Sequence, residues 1–279
     1  MRIGTHVSIA KGIWNAPSNA AKVGAECFQF FSRSPYGGPV SPITSVAAER
    51  FRAEMKKYKF DTFYIHTPYI INLASAKNSL YYGSIGMLRQ ELDRGSQLGC
   101  KAIMTHLGSF GDSPDAEGIE RVVKAILKTH DGYKGQTKLL LEMSAGAGRV
   151  VGDTFEEIAA ILFDPRLKKL KIGVCFDTCH AFASGYDIRT KKGLDETLKK
   201  FDKLIGFKYL DLIHCNDSKG SLGGHLDRHE NLGQGNIGLE CFKALAKHKA
   251  AGQLDWILET PKDDPADDPK NIAVLKKLR

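Results

Sequence analysis

Residues 102–142, AIMTHLGSFGDSPDAEGIERVVKAILKTHDGYKGQTKLLLE, hold two short apolar runs, AIMT and KLLL, with an amphipathic segment near 115–130 between them. The first run ends at His106 and the second at Glu142. Their separation of 36 residues suits one strand, one loop and one crossover helix, so the stretch reads as a βαβ unit with parallel strands. Neither run alternates with polar residues, the pattern of strands covered on both faces.

The same unit recurs on either side. RIGTHV, CFQFF, TFYIHT, KIGVCFDT, YLDLIHCN and WILETP bring the strand-like runs to eight. Helices are expected near 15–24, 44–58, 78–98, 115–130, 154–163, 193–205, 238–249 and from Asn271 onward. Asp153-Thr154-Phe155-Glu156 reads as a capping arrangement at one start, and Asp268-Pro269 as a cap and first-turn proline before the last helix. Eight such units predict an α/β TIM (β/α)8 barrel, with an open doubly wound sheet as the alternative. The chemistry-bearing residues separate the two. His66, His106, Glu142, Asp177, His214 and Glu259 each end a different run, at gaps of 40, 36, 35, 37 and 45 residues. A barrel gathers six strand ends at one mouth, whereas an open sheet spreads them along an edge.

A chain of 279 residues with 42% hydrophobic content suits one barrel domain over residues 1–279. No run of about eighteen apolar residues occurs, and MRIGTHVSIAKG lacks a charged leader followed by a hydrophobic stretch, so an intracellular, cytoplasmic protein is expected. The six cysteines are dispersed through apolar stretches and read as reduced, buried thiols, Cys175 and Cys179 included. The formal charge of +8 favours a polyanionic partner, although KKYK, FDPRLKKLKIG and TLKKFDKLIG each read as a solvated helix face.

An isolated histidine at a strand end is usually a hydrogen-bonded core residue; six ligand-type residues in equivalent places call for a shared cause. Buried carboxylates gathered without a cation would cost on the order of several kcal/mol in desolvation and mutual repulsion. His180, Asp227 and His229 lie just downstream of these runs and raise the set to nine, more than a single ion uses. Asp177 and His180 are three residues apart across a strand end and the turn after it, wide enough to serve neighbouring ions. Asp227 and His229, two apart in an extended loop, project the same way and can hold one ion together. The glycines of GHLDRHENLGQGNIG let that loop fold over the mouth. Four carboxylates, Glu142, Asp177, Asp227 and Glu259, would repel a phosphodiester, and three divalent cations reverse that sign. Imidazole and carboxylate without thiolate suit zinc, with manganese or iron as alternatives.

Taken together, GTHVSIAKG, LEMSAGAG, GVCFDTCHAFASGYD, HCNDSKG, DRHENLGQGNIG and ILETP resemble the endonuclease IV family of zinc-dependent apurinic/apyrimidinic endonucleases. The resemblance covers almost the whole chain, and DTCHAFASGYD and DRHENLGQGNIG are its most specific parts. It implies a xylose-isomerase-like barrel and three Zn²⁺ per chain: one held by His66, His106 and Glu142, a second by Asp177, His214 and Glu259 with Glu142 bridging, a third by His180, Asp227 and His229. It also implies hydrolysis of the phosphodiester 5′ to an abasic site in duplex DNA, leaving a 3′-hydroxyl, and removal of blocking groups from 3′ ends. Glu142 and Glu259 would be the catalytic carboxylates, the latter orienting the nucleophile.

By the same resemblance Tyr69, in HTPYIINL, matches a position that enters the minor groove near the lesion. After the second strand the family carries an arginine followed closely by a tryptophan. Here FFSRSPYGGPV places Tyr36 near the expected arginine, with Arg33 earlier. Tyr36 is therefore the expected DNA contact, able to wedge into a base stack but not to supply a guanidinium. Gln234 stands where the family more often has an acidic residue. The expected partner is duplex DNA with abasic sites or blocked 3′ ends, bound by a monomer that contacts no membrane. A rival reading is a single-metal sugar isomerase or epimerase of the xylose-isomerase-like barrels, using Glu142, Asp177, His214 and Glu259 and leaving five candidates idle. A basic barrel with purely structural zinc is a second rival, disfavoured because no cysteine is expected in the cluster.

Overall fold

The computed structural model describes residues 1–279. All eight apolar runs form strands: β1 (Ile3–His6), β2 (Cys27–Phe31), β3 (Phe63–His66), β4 (Ala102–Thr105), β5 (Lys138–Glu142), β6 (Ile172–Asp177) and β7 (Leu210–His214) precede two short strands, β8 (Asp217–Ser218) and β9 (His229–Glu230), and β10 (Asp255–Leu258) completes the set. Seven strands pair in chain order from β1 to β7, and β10 sits between β7 and β1, with Ile3 opposite Trp256. Every one of these pairings is parallel, and the sheet is closed. The separate β8 and β9 form an antiparallel pair.

Alternation along each strand divides two cores. Cys27, Tyr64, Ala102, Met104, Leu140, Cys175, Leu212 and Ile257 form a cluster of 8 residues in the lumen. Their neighbours in sequence, among them Phe28, Ile65, Ile103, Leu141, Phe176, Ile213 and Trp256, belong to the cluster of 62 that packs the barrel against its helices. This register decides where the chemistry falls. One further step of two residues from Tyr64, Met104, Leu140, Cys175, Leu212 and Ile257 reaches His66, His106, Glu142, Asp177, His214 and Glu259 at the carboxyl-terminal mouth. At the opposite end, Asp255 accepts from Arg2 at 2.8 and 2.9 Å and from the Tyr64 hydroxyl at 2.6 Å, closing the floor.

The helices are α1 (Ala16–Lys22), α2 (Ser45–Lys57), α3 (Asn78–Leu98), α4 (Asp115–His130), α5 (Phe155–Leu162), α6 (Thr178–Ala183), α7 (Lys191–Leu204), α8 (Leu239–Lys247) and α9 (Asp267–Leu278). Three local readings need correction. The turn expected after Asp177 is the helix α6, and Asp177 caps it by accepting from the His180 backbone at 2.9 Å. The cap of α5 is Thr154, paired with Glu157 rather than Glu156: Thr154 accepts from Glu157 N, and Glu157 accepts from Gly152 N at 2.6 Å. Asp268 does not cap α9, which begins one residue earlier; its carboxylate accepts from Thr5 Oγ1 at 2.7 Å instead. No helix is long and apolar enough to cross a membrane. All six cysteines are free and buried.

Candidate metal centre

The structure brings all nine candidates together at the mouth, in three groups whose ligand atoms lie within 4.8 Å of one another: His66, His106 and Glu142; Glu142, Asp177, His214 and Glu259; His180, Asp227 and His229. Glu142, fully buried at the end of β5, joins the first two. Its Oε2 is 3.0 Å from His66 Nε2 and 3.8 Å from His106 Nε2, while its Oε1 is 2.8 Å from His214 Nδ1. One carboxylate therefore faces two clusters with different oxygens, the geometry of a bridge. His214 Nδ1 also lies 3.0 Å from Glu259 Oε2 and 3.8 Å from Asp177 Oδ2. Asp227 Oδ1, on the loop leading to β9, is 3.2 Å from His180 Nε2 and 3.4 Å from His229 Nε2.

Backbone carbonyls set the ring orientations. His66 donates Nδ1–H to Thr67 O at 2.7 Å, His180 to Met143 O at 2.8 Å and His229 to Glu259 O at 2.9 Å. A carbonyl can only accept, so Nδ1 carries a proton in each ring and Nε2 is the nitrogen turned inward, the orientation that outer hydrogen bonds give metal-binding histidines. Nε2 of His180 and of His229 is buried without a hydrogen-bond partner; Asp227 is near both but not aligned with either. Buried ring nitrogens left without a partner are costly, and a bound cation would complete them. The donor chemistry and these orphaned atoms fit divalent metal ions.

The electrostatics agree. Burial would raise the Glu142 carboxyl, but His214, His106 and His66 outweigh it and hold it well below the usual range. Burial opposes ionisation of Glu259 in the same way and is overcome chiefly by neighbouring His214, which holds the carboxyl well below the usual range. Burial depresses the His106 imidazole toward the neutral form a ligand needs, whereas nearby anionic groups outweigh burial and raise those of His66, His180 and His214, a concentration of negative charge that suits a cation. One expectation fails here: Cys175 and Cys179 do stand beside the cluster, Cys175 with Glu142 and His214, Cys179 with Asp177 and His229. Cys175 follows from the register, since it precedes Asp177 by two on the lumen face, and Cys179 is the second residue of α6. Burial pushes the Cys175 thiol up to about 12, which keeps it neutral beside the cluster.

The groups border a cleft of 610 Å³, which Lys219 and Arg228 also line. A second cleft of 380 Å³ shares Tyr69, His106 and Asp227 with it and adds Ile70, Leu80 and Val150. Tyr69 is 56% exposed, with its ring 5.2 Å from Phe31 and 5.7 Å from His66. Tyr36 is 81% exposed on the neighbouring loop, which Pro35 O joins to Tyr69 N at 3.0 Å. Arg33 cannot substitute for a missing arginine there. Its side chain is buried, donating to Glu91 Oε1 at 2.7 Å and Gln90 Oε1 at 2.6 Å, so it anchors the loop from beneath.

Sequence reasoning missed the buried amides around the cluster. Asn216 donates to Asp177 Oδ2 at 2.8 Å and accepts from the Glu259 backbone at 2.7 Å. Gln29, on β2, donates to Glu259 Oε1 at 2.6 Å and contacts His214 Nε2 at 2.8 Å. Asp217 accepts from the backbone of Gly233, Gly235 and Ile237 and so pins the NLGQGNIG loop. The available signal was the same step of two: Gln29 follows Cys27 as Glu142 follows Leu140.

Comparison with known proteins places this geometry. The family profile of xylose isomerase-like TIM barrels matches residues 17–278. The chain is 40% identical over 277 residues to a probable endonuclease 4 of Methanoculleus marisnigri, covering 99% of this chain and 98% of that one. It is 39% identical over 280 residues to the probable endonuclease 4 of Nitrosopumilus maritimus, covering the whole of both. The crystal structure of endonuclease IV from Thermus thermophilus superposes with a TM-score of 0.88 at 32% identity, over 100% of this chain and 98% of that one. A D-tagatose 3-epimerase-like protein shares the fold, with a TM-score of 0.74 at 19% identity over 100% of this chain and 97% of that one. The chain belongs to the endonuclease IV family of xylose isomerase-like TIM barrels.

Proposed function

We propose that this DNA-repair endonuclease hydrolyses the phosphodiester 5′ to abasic sites in duplex DNA, leaving a 3′-hydroxyl, and trims blocked 3′ ends, with three Zn²⁺ held by the nine clustered residues. Manganese or iron would suit the same oxygen and nitrogen donors. The observation that carries the reading is the pair of three-residue groups beyond the Glu142, Asp177, His214 and Glu259 set. Bound there, divalent cations supply activated water and charge stabilisation for in-line displacement at phosphorus.

The chain's own residues do the rest. Glu142 spans two groups with its two oxygens, fixing their spacing. Glu259 stands at the rim of the cluster, hydrogen-bonded on one oxygen and facing His214 with the other, where it can orient a nucleophile. Asp227 and His229, on the loop over the mouth, sit on the side open to a leaving group. Lys219 and Arg228 line the cleft and meet flanking phosphates. Tyr69 lines the cleft and Tyr36 presents an exposed ring on the neighbouring loop, both suited to a base stack opened at a lesion.

A second reading, a single-metal epimerase, has one observation in its favour: Glu142, Asp177, His214 and Glu259 form a group by themselves. It leaves the orphaned His180 and His229 nitrogens without a role. The test is incubation of the protein with a duplex carrying one abasic analogue, before and after metal stripping. A nick on the 5′ side, lost on stripping and restored by Zn²⁺, supports the nuclease; an intact duplex together with ketose epimerisation supports the rival.

A further inference from the structure

We infer that Gln29 decides which ring nitrogen His214 offers to a metal, and at the same time anchors Glu259. The inference rests on the metal-centre reading above. Gln29 is fully buried, two residues beyond Cys27 on the lumen face of β2. The orientation of its amide follows from its partners. Glu259 Oε1 can only accept, so the group 2.6 Å away is the amide nitrogen. The amide oxygen then faces His214 Nε2 at 2.8 Å, and Nε2 must carry the proton. The remaining amide N–H points to His6 Nδ1 at 3.1 Å, so every partner of the side chain is accounted for.

With Nε2 held by Gln29, Nδ1 is the ring nitrogen left to meet a metal, and it faces Glu142 and Glu259 within 3.0 Å. This is the reverse of His66, His180 and His229, whose Nδ1–H groups are held by backbone carbonyls and whose Nε2 atoms turn inward. A backbone carbonyl cannot be removed by substitution, but the acceptor that orients His214 can. Gln29 is thus a positioning residue for the group that contains Glu142, Asp177, His214 and Glu259.

Two variants separate orientation from packing. Gln29→Leu fills much of the same volume and supplies neither hydrogen bond; Gln29→Glu keeps an acceptor for His214 and sets a second carboxylate against Glu259. Metal binding is read by chelator competition with Zn²⁺, and imidazole coordination by long-range ¹H–¹⁵N correlation of the histidine rings. In the wild type, His214 is expected to bind through Nδ1 and His66, His180 and His229 through Nε2. Gln29→Leu should weaken one of three ions by about 10–100-fold, the usual effect of losing an outer hydrogen bond, and leave the other two in place. His214 should lose its exclusive Nδ1 coordination in the Leu variant and keep it in the Glu variant. Wild-type protein with His214 bound through Nε2 would overturn the inference even if both variants failed to fold. So would a Leu variant that binds three ions with unchanged affinity and unchanged His214 coordination. Wild-type protein that takes up no ions would overturn the metal-centre reading as well.

Discussion

At the residue scale, the load falls on carboxylates that face several histidines at once. Glu259→Gln keeps the shape of the side chain and removes the charge facing His214, so nicking should fall by about 100-fold or more while the fold is retained. Single-turnover cleavage and circular dichroism check this; full activity would remove the assigned role. Tyr36→Ala and Tyr69→Ala act elsewhere: both should weaken binding to an abasic duplex, measured by fluorescence anisotropy, without changing metal content. These ring positions were legible only through the resemblance, since exposure is not written in a tyrosine. The nine ligand-type residues were legible directly, because strand alternation carries six of them two steps beyond an apolar lumen residue and the other three follow close behind. Gln29 and Asn216 were not, because a lone amide in or after an apolar run looks like any satisfied core polar group until its partners are seen. Cys175 misled for the same reason: the step of two that places Asp177 also places the thiol under it.

At the element scale, eight strands and their helices were readable from periodicity, while short-range details were not. Helix α6 is only six residues long and buried on every side, so no amphipathic stripe distinguishes it from a turn. The start of α9 differs because Asp268 looks like a cap in sequence and is instead drawn to Thr5 of β1 and to Lys262. The barrel floor offers a stability test. Burial alone would raise the Asp255 carboxyl, but hydrogen bonds from Arg2 and Tyr64 outweigh it and depress the carboxyl below 3.8. A depressed carboxyl stabilises the fold above the unfolded value, and that contribution disappears as pH falls through the folded one. Asp255→Asn should therefore lower stability at pH 7 by about 2 kcal/mol, the low end for charged hydrogen bonds given the partial exposure of Arg2. Urea melts of the two proteins should converge as the pH is taken below 3.8; a gap that persists in acid would place the effect in packing.

At the scale of the whole molecule, the charge of +8 and the carboxylate-rich mouth pull in opposite directions. Basic groups on the surface should dominate the encounter with DNA, so affinity for an undamaged duplex should drop steeply between about 50 and 200 mM salt as counterions are released. A flat response in a salt titration would count against DNA as the partner. Cations at the mouth are what make this surface compatible with a phosphodiester. The most direct measurement is metal analysis of the purified protein after Zn²⁺ loading and removal of excess, combined with anomalous diffraction at the zinc edge. Three ions per chain are expected, one within each group that includes His66, His214 and His180. A single ion confined to Glu142, Asp177, His214 and Glu259, or no ion at all, would contradict the trinuclear centre.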